Sequence, residues 1–279
     1  MANARGKSVD KTHLSIDQAE RRGFLHRDYI AHCLRWSHIV KHLQQKQRYK
    51  DAVIFDVGCG KEMPLIKTLY SSRMSPREYT GFDVNKLEMP DMFKNAKFKP
   101  KFFGELDFAQ YISTSAQPTL ITCFEVVEHV EPAHAIAILK NIRTHMTSDT
   151  HAFVSTPCWD PHVGAAANHV NEMKYGPFGA TLEAIGFQVE NQWGTFASIK
   201  DYIDQIDELG ETVREIFDEL REYYDTNVLA CIFAPLFPSH SRNCLWHLSH
   251  KLHTPQFADI HEWPTPWTSS EEWKDLAHV

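Results

Sequence analysis

Residues 52–60 read AVIFDVGCG. A short apolar run that breaks into a glycine turn is the pattern of a strand buried on both faces of a parallel sheet. Gly58 and Gly60 let the backbone turn tightly and come close to a ligand at the carboxyl edge of that sheet. A dinucleotide fold would place a third glycine at position 63, where Met63 stands, so the pyrophosphate fingerprint fails. Gly60-Lys61 is followed by Glu62, which excludes a phosphate-cradling G-K-[ST] loop.

Outward from this stretch, the pattern alternates. A helix is expected over 61–72, with Pro64 tolerated in its first turn. Strands follow over 79–84, about 99–106, 119–124, 151–155 and 187–193, with helices over 132–146 and 177–185, the latter ended by Gly186. Such alternation means an α/β fold, a parallel sheet covered on both faces. One or two amphipathic helices precede it, from Asp17 to about Gln47, and an acidic helical segment spans 198–224. The stretch NCLWHLSH, 243–250, alternates like a strand. The chain is expected to form one structural domain. It comprises an N-terminal helical lid (1–50), a cofactor-binding core (51–197), a helical insert (198–240), and a final strand with a Trp- and Pro-rich tail (241–279).

Composition excludes several classes. Of 279 residues, 43% are hydrophobic and 23% charged, which rules out disorder as the main state. No run approaches ~18 consecutive apolar residues, so no membrane span is expected. The leader MANARGKSVDKTHLS lacks the apolar stretch of a secretory signal. The six cysteines (33, 59, 123, 158, 231, 244) form no C-x-x-C pair and read as reduced thiols of a cytoplasmic protein. Cys158 follows a proline after the fifth strand, and a small buried or loop thiol is expected there. The net charge of -7 hides an asymmetry. Residues 1–50 carry 11 Lys/Arg against 4 Asp/Glu, whereas residues 201–225 carry 10 acids against 2 arginines. The acidic segment repels phosphates and disfavours nucleic acid as a partner. Arg21, Arg22, Arg27 and Arg35 of the basic lead could attract an anion, pair with the acidic body, or contact a cofactor carboxylate.

Asp83 closes the second strand in YTGFDVN, where a carboxylate can accept from both hydroxyls of a ribose. A ribose-binding acid without a diphosphate loop points to a nucleoside, and Asp56 before the loop suits a cationic one. In order, VIFDVGCG, GFDVN, FFGELDF, CFEVVEHV and FVSTP make the chain resemble the class I S-adenosylmethionine-dependent methyltransferases over residues 50–195. The resemblance implies a Rossmann-like seven-stranded, mostly parallel sheet with an antiparallel last strand, and S-adenosyl-L-methionine as cofactor. It implies that Gly58 and Gly60 hold the methionine part and Asp83 the ribose. Asp107, or the backbone near Leu106, would meet the adenine, and Phe124 with Glu125 would line the floor near the sulfonium. Asp107 reads equally well as a helix N-cap.

The acceptor chemistry rests on two segments. Neither D/N-P-P-Y nor P-C follows the fourth strand, which argues against methylation of a base amine or base carbon. Glu125, Glu128 and His129 (EVVEH) follow that strand, and on a helix the two acids would share a face at i, i+3. NHVNE, 168–172, brings His169 on the loop after the fifth strand. Two carboxylates and two imidazoles suit Mg, Mn or Zn. The arrangement is similar to that of metal-assisted O-methyltransferases of the ubiquinone pathway and of small-RNA 2′-O-methyltransferases. Without metal, Glu128 and His129 would brace the loop, and His129 or His169 would be the general base, with Glu125 beside them. His32, His38 and His42 read as a solvated helix face, and Tyr202, Tyr223 and Tyr224 as core packing or pocket aromatics. The expected activity is methyl transfer to an O or N atom of a small molecule by a monomer or homodimer. A nucleotide or nucleic-acid methyltransferase and a non-catalytic cofactor-binding partner subunit are the alternatives.

Overall fold

The structure, a computed structural model, describes residues 27–94, 100–104, 116–160, 164–166 and 168–250. Leu106, Asp107, the first turns of the expected N-terminal helix and the Trp-rich tail lie outside these residues.

Seven strands form one sheet: β1 (Val53–Val57), β2 (Glu78–Phe82), β3 (Lys101–Phe103), β4 (Leu120–Phe124), β5 (His151–Pro157), β6 (Phe187–Phe196) and β7 (Asn243–His250). Their order is β3-β2-β1-β4-β5-β7-β6. The first five strands pair in parallel, while β7 lies antiparallel between β5 and β6. The order reverses between β1 and β4, and the crevice at such a switch point opens at the carboxyl ends of the strands. Every residue of β1 is buried, as a central parallel strand requires.

The strand residues divide between two faces by parity. Val53, Phe55, Val57, Ile121, Val154 and Trp246 pack on one face, under α4 (Pro132–Thr144) and α5 (Tyr175–Ile185). Ile54, Leu120, Phe153 and Leu245 pack on the other, against Trp36, Ile39 and Leu43 of α1 (Arg27–Gln44) and Leu65, Ile66 and Leu69 of α2 (Pro64–Ser71). Each such buried side chain is worth about 1.5–3 kcal/mol. A single short turn, α3 (Asp91–Lys94), follows β2.

Several elements depart from their expected bounds. α2 starts at Pro64 because Met63, with φ +49, must turn left-handed as the chain leaves the glycine loop. β3 has only three residues, while β5 and β6 run longer than expected. The acidic segment is not one helix. Gly210, at φ +104, splits it into α6 (Ile199–Glu208) and α7 (Glu211–Tyr223), and α8 (Thr226–Phe233) follows. These three helices share a small core around Tyr202, Ile206, Phe217 and Phe233. Tyr223 and Tyr224 point outward instead, at 73% and 51% exposure.

The histidines of α1 correct the expectation of a solvated face. α1 lies flat on the sheet, so its His38 stacks on Trp193, and His42 packs against His151, Phe153 and His247. His247 stacks on Phe153 at 4.4 Å, and its Nε2 lies 2.9 Å from Nδ1 of His151. Burial, then the neighbouring histidines and Arg48, pushes His42 down to about 3 and His247 to about 4. Burial also lowers His151, with Arg48 adding and Glu190 and Asp149 opposing, and lowers His38, where Lys41 adds.

The unfolded chain protonates these imidazoles below about pH 6.5, while the folded chain resists. Their contribution to stability is therefore complete above about pH 6.5 and is lost as the pH falls toward 4. Thermal unfolding should show Tm dropping over that window. His247→Phe keeps the stack on Phe153 but removes a titrating ring, so its Tm should fall less between pH 7.5 and 5 than that of the unaltered chain.

Candidate active site at the carboxyl edge of the sheet

The glycine loop leaves β1 in the left-handed region at both glycines, Gly58 at φ +73 and Gly60 at φ +69. The amides of Gly58 and Cys59 both donate to the carbonyl of Phe82 at the end of β2. A Cβ on Gly58 would sit 2.1 Å from Cγ2 of Val126, so glycine is required there by contact as well as by φ. A Cβ on Gly60 would meet nothing within 4 Å among the described residues. Gly60 thus borders open space, as the floor of a ligand cradle does.

Asp83 joins this loop. Its Oδ2 accepts from the Gly60 amide at 2.9 Å, and its Oδ1 accepts from the backbone amide and side-chain Nδ2 of Asn85 at 2.8 and 2.7 Å. Three of the roughly four lone-pair sites of a carboxylate are then used, which leaves one on Oδ2 for a ligand hydroxyl. Asp56 behaves differently from its expected role toward a cationic ligand. It accepts from Tyr79 of β2 at 2.5 Å and from Thr122 of β4 at 2.7 Å, so it ties three strands together beneath the cleft. Burial pushes it up to about 6, against the pull of those two hydroxyls.

At the end of β4, Phe124 is half-buried and Glu125 takes a left-handed conformation, φ +56. The next residues form a 3-10 turn, Val127–His129, instead of the helix that would have put Glu125 and Glu128 on one face. The two carboxylates are split by the sheet. Ser155 donates to Glu125 at 2.8 Å, and Thr156 donates to Glu128 at 3.3 Å. Successive strand residues point to opposite faces. Ser155 pairs with Leu245 of the α1 face, and Thr156 with Cys244 of the α4–α5 face.

On the α1 face, Glu125 lies in a buried network. Asn243 donates to both of its oxygens at 3.1 and 2.8 Å, and Arg35 of α1 pairs with it at 3.5 Å. Arg35 also donates to Asn243, Thr195 and His32. Burial pushes Glu125 up, but Arg35 above all, with His32, Asn243 and Ser155, outweighs it and holds the carboxyl below the usual range. His32 is driven down to about 3 by burial and by Arg35. Arg35 therefore pairs within the chain. Asn243, Thr195 and Ser155 escaped the sequence reading, since isolated polar residues on strands carry no signal.

On the opposite face, Glu128, His129 and His169 come together, one ligating atom of each within 4.8 Å of the others. Glu125 is not among them. The loop after β5 is stitched to the 3-10 turn, because the amides of Val170 and Asn171 donate to the carbonyl of Glu128. Asn171 also donates through its side chain to Val130. Nδ1 of His129 lies 3.1 Å from the carbonyl of Asn168, and Nδ1 of His169 contacts the carboxylate of Glu172. Both rings are thereby oriented with Nε2 directed away from those acceptors. Glu128 Oε1 is buried and has no hydrogen-bond partner among the described residues. Burial, with Glu125 and Glu172 adding, raises Glu128 well above the carboxylate range. An orphaned buried carboxylate oxygen beside two oriented imidazoles is a fit for a cation.

Five of the six cysteines, Cys158 among them, are buried, and all six are free thiols. No helix among the described residues is long and apolar enough to cross a membrane.

Residues 26–216 match the family described as a methyltransferase domain. No curated protein sequence matches the chain. Among solved structures, the chain is similar to magnesium protoporphyrin IX methyltransferase from Synechocystis PCC 6803 with bound SAH. The identity is 12% and the TM-score 0.51, over 88% of this chain and 92% of that one. It is also similar to 1,6-didemethyltoxoflavin-N1-methyltransferase of Burkholderia thailandensis, at 13% identity and TM-score 0.48, over 79% of this chain and 78% of that one. At such identities the first likeness speaks for the fold alone.

Gly58→Ala should lower Tm more than Gly60→Ala. Only the former adds a clash to the left-handed strain of roughly 1–2 kcal/mol. Val126→Ala in the Gly58→Ala background should recover part of the loss, because it deletes the Cγ2 atom that the new methyl meets. Equal losses at the two glycines would contradict the packing of Val126 on Gly58.

Proposed function

The chain belongs to the methyltransferase-domain family, and on that footing we propose that it transfers the methyl group of S-adenosylmethionine to an oxygen or nitrogen of a small molecule. The observation that carries this reading is the Gly60–Asp83 pair: an amide-braced carboxylate beside an open glycine, at the carboxyl ends of β1 and β2 next to the switch point of the sheet. The cofactor, when bound, supplies a methyl group already activated on a sulfonium. The part of the chain is to hold and align. Gly58 and Gly60 shape the loop for the methionine end, and Asp83 offers its remaining lone pair to the ribose. Asp107, or the backbone near Leu106, would serve the adenine, and Phe124 would line the floor.

The E-x-x-E-H segment supports a finer proposal, of metal-assisted transfer. Glu128, His129 and His169 would hold a divalent ion, Mg, Mn or Zn, which supplies Lewis acidity to an acceptor hydroxyl. Glu172 and the carbonyl of Asn168 fix the ring orientations that this needs. A small acceptor is favoured over nucleic acid by the acidic helices α6 and α7.

Calorimetry with S-adenosylhomocysteine should give one site. Asp83→Ala should weaken it roughly 10- to 100-fold, the worth of hydrogen bonds to a charged group. With methyl-labelled cofactor and a panel of hydroxylated and amino aromatic molecules, His169→Ala should cut turnover by roughly 100-fold or more. Its S-adenosylhomocysteine affinity should stay unchanged. Absence of binding would overturn the reading, and label transferred to RNA alone would overturn the small-molecule part.

A further inference from the structure

Resting on the metal reading of the same cleft, we infer that the centre draws three donors from the described residues, two imidazoles and one carboxylate. It takes a nitrogen-favouring ion of the Zn2+ class over Mg2+, and Arg35 is the positioning residue that keeps Glu125 out of it. The first ground is topological. The left-handed turn at Glu125 sends that side chain to the α1 face, while Glu128 hangs from Thr156 on the α4–α5 face. A fourth ligand from Glu125 would have to leave one side of the sheet edge for the other.

The second ground is the company that Glu125 keeps. Its oxygens are already met by Ser155, by Asn243 twice and by Arg35, whose side chain is 2% exposed. Leaving that network would strand the buried Arg35 charge without its carboxylate, which is strongly unfavourable. The first carboxylate of the E-x-x-E pair, Glu125, is therefore committed to α1.

The third ground is donor chemistry. Mg2+ asks for near-octahedral oxygen ligation and is held through carboxylates, whereas imidazole suits Zn2+ and its neighbours. With Glu125 withheld, two of the three donors are nitrogens. Ring N–H groups given to a carboxylate and to a backbone carbonyl are the surroundings that zinc-binding histidines have. Nε2 of His129 stands 3.9 Å from Oε1 of Glu128. All three donor atoms lie within 4.8 Å of one another, and the tetrahedral zinc edge is about 3.3 Å, so the donors draw in by up to about 1.5 Å to reach bonding geometry. Among the described residues three donors serve the ion, and a tetrahedral centre so held has a fourth position for water or for an acceptor oxygen.

Metal titration of the full chain, without cofactor or acceptor, tests this. Zn2+ should bind one-to-one, roughly 100-fold or more tighter than Mg2+. Co2+ should show the intense visible absorption of a tetrahedral site. Glu128→Gln and His169→Ala should weaken Zn2+ binding by roughly 100-fold. Glu125→Gln, alone or with Arg35→Met if the single variant folds poorly, keeps a side-chain carbonyl for Ser155 and Asn243 to hold and so keeps the turn; Zn2+ affinity should then change by less than about 3-fold, against the roughly 100-fold of a lost ligand, and the Co2+ spectrum should stay tetrahedral. His247→Phe should also change nothing, which keeps the separate histidine stack under α1 out of the result. Mg2+ binding as well as Zn2+, with Glu125→Gln abolishing it, would overturn the three-donor centre while leaving a metal-assisted enzyme. Failure to bind any of these ions would overturn the metal reading as well, whatever the affinity for S-adenosylhomocysteine.

Discussion

The cleft depends on one backbone constraint, the left-handed turn at Glu125. A non-glycine residue pays roughly 1–2 kcal/mol for that conformation, so something must hold it. Ser155, Asn243 and Arg35 do so by gripping the carboxylate from three different elements. The turn then places everything after it. Val126 drops onto Gly58, which shapes the glycine loop. The 3-10 turn that follows carries Glu128 and His129 to the far face, where His169 meets them.

This arrangement makes α1 part of the site and not only a cover. Arg35 reaches the cleft from α1, and the same helix is anchored at its other end by the histidine stack on β5, β6 and β7. Asp56 plays a comparable part from below. It ties β1 to β2 and β4 directly under the loop that Gly58 and Gly60 form. The charged groups nearest the cleft thus divide their work. Asp56, Arg35 and Glu125 hold the frame, and Asp83 and Glu128 each keep an acceptor free.

Much of this could be read in the sequence. AVIFDVGCG placed β1 and its loop, because a buried apolar run and a glycine turn each have a direct physical cause. Asp83 could be placed for the same reason, one residue past a strand. The pairing of His169 with the EVVEH segment was also legible from their positions after neighbouring strands. Two things were not. Helical spacing shows which residues share a face but not what that face meets, so His38 and His42 passed for solvated residues. The left-handed Glu125 has no sequence signal, since such a φ in a non-glycine residue is enforced by distant partners. Those partners, Arg35 and Asn243, stand 90 and 118 positions away in the chain.

The most direct measurement is the energetic coupling of Glu125, by double-mutant cycles on unfolding free energy. Arg35→Met and Glu125→Gln should be strongly non-additive, with a coupling of roughly 2 kcal/mol. Glu125→Gln and His169→Ala should add to within about 0.5 kcal/mol. Coupling of Glu125 to His169 that exceeds its coupling to Arg35 would contradict the division of the two carboxylates between opposite faces of the sheet.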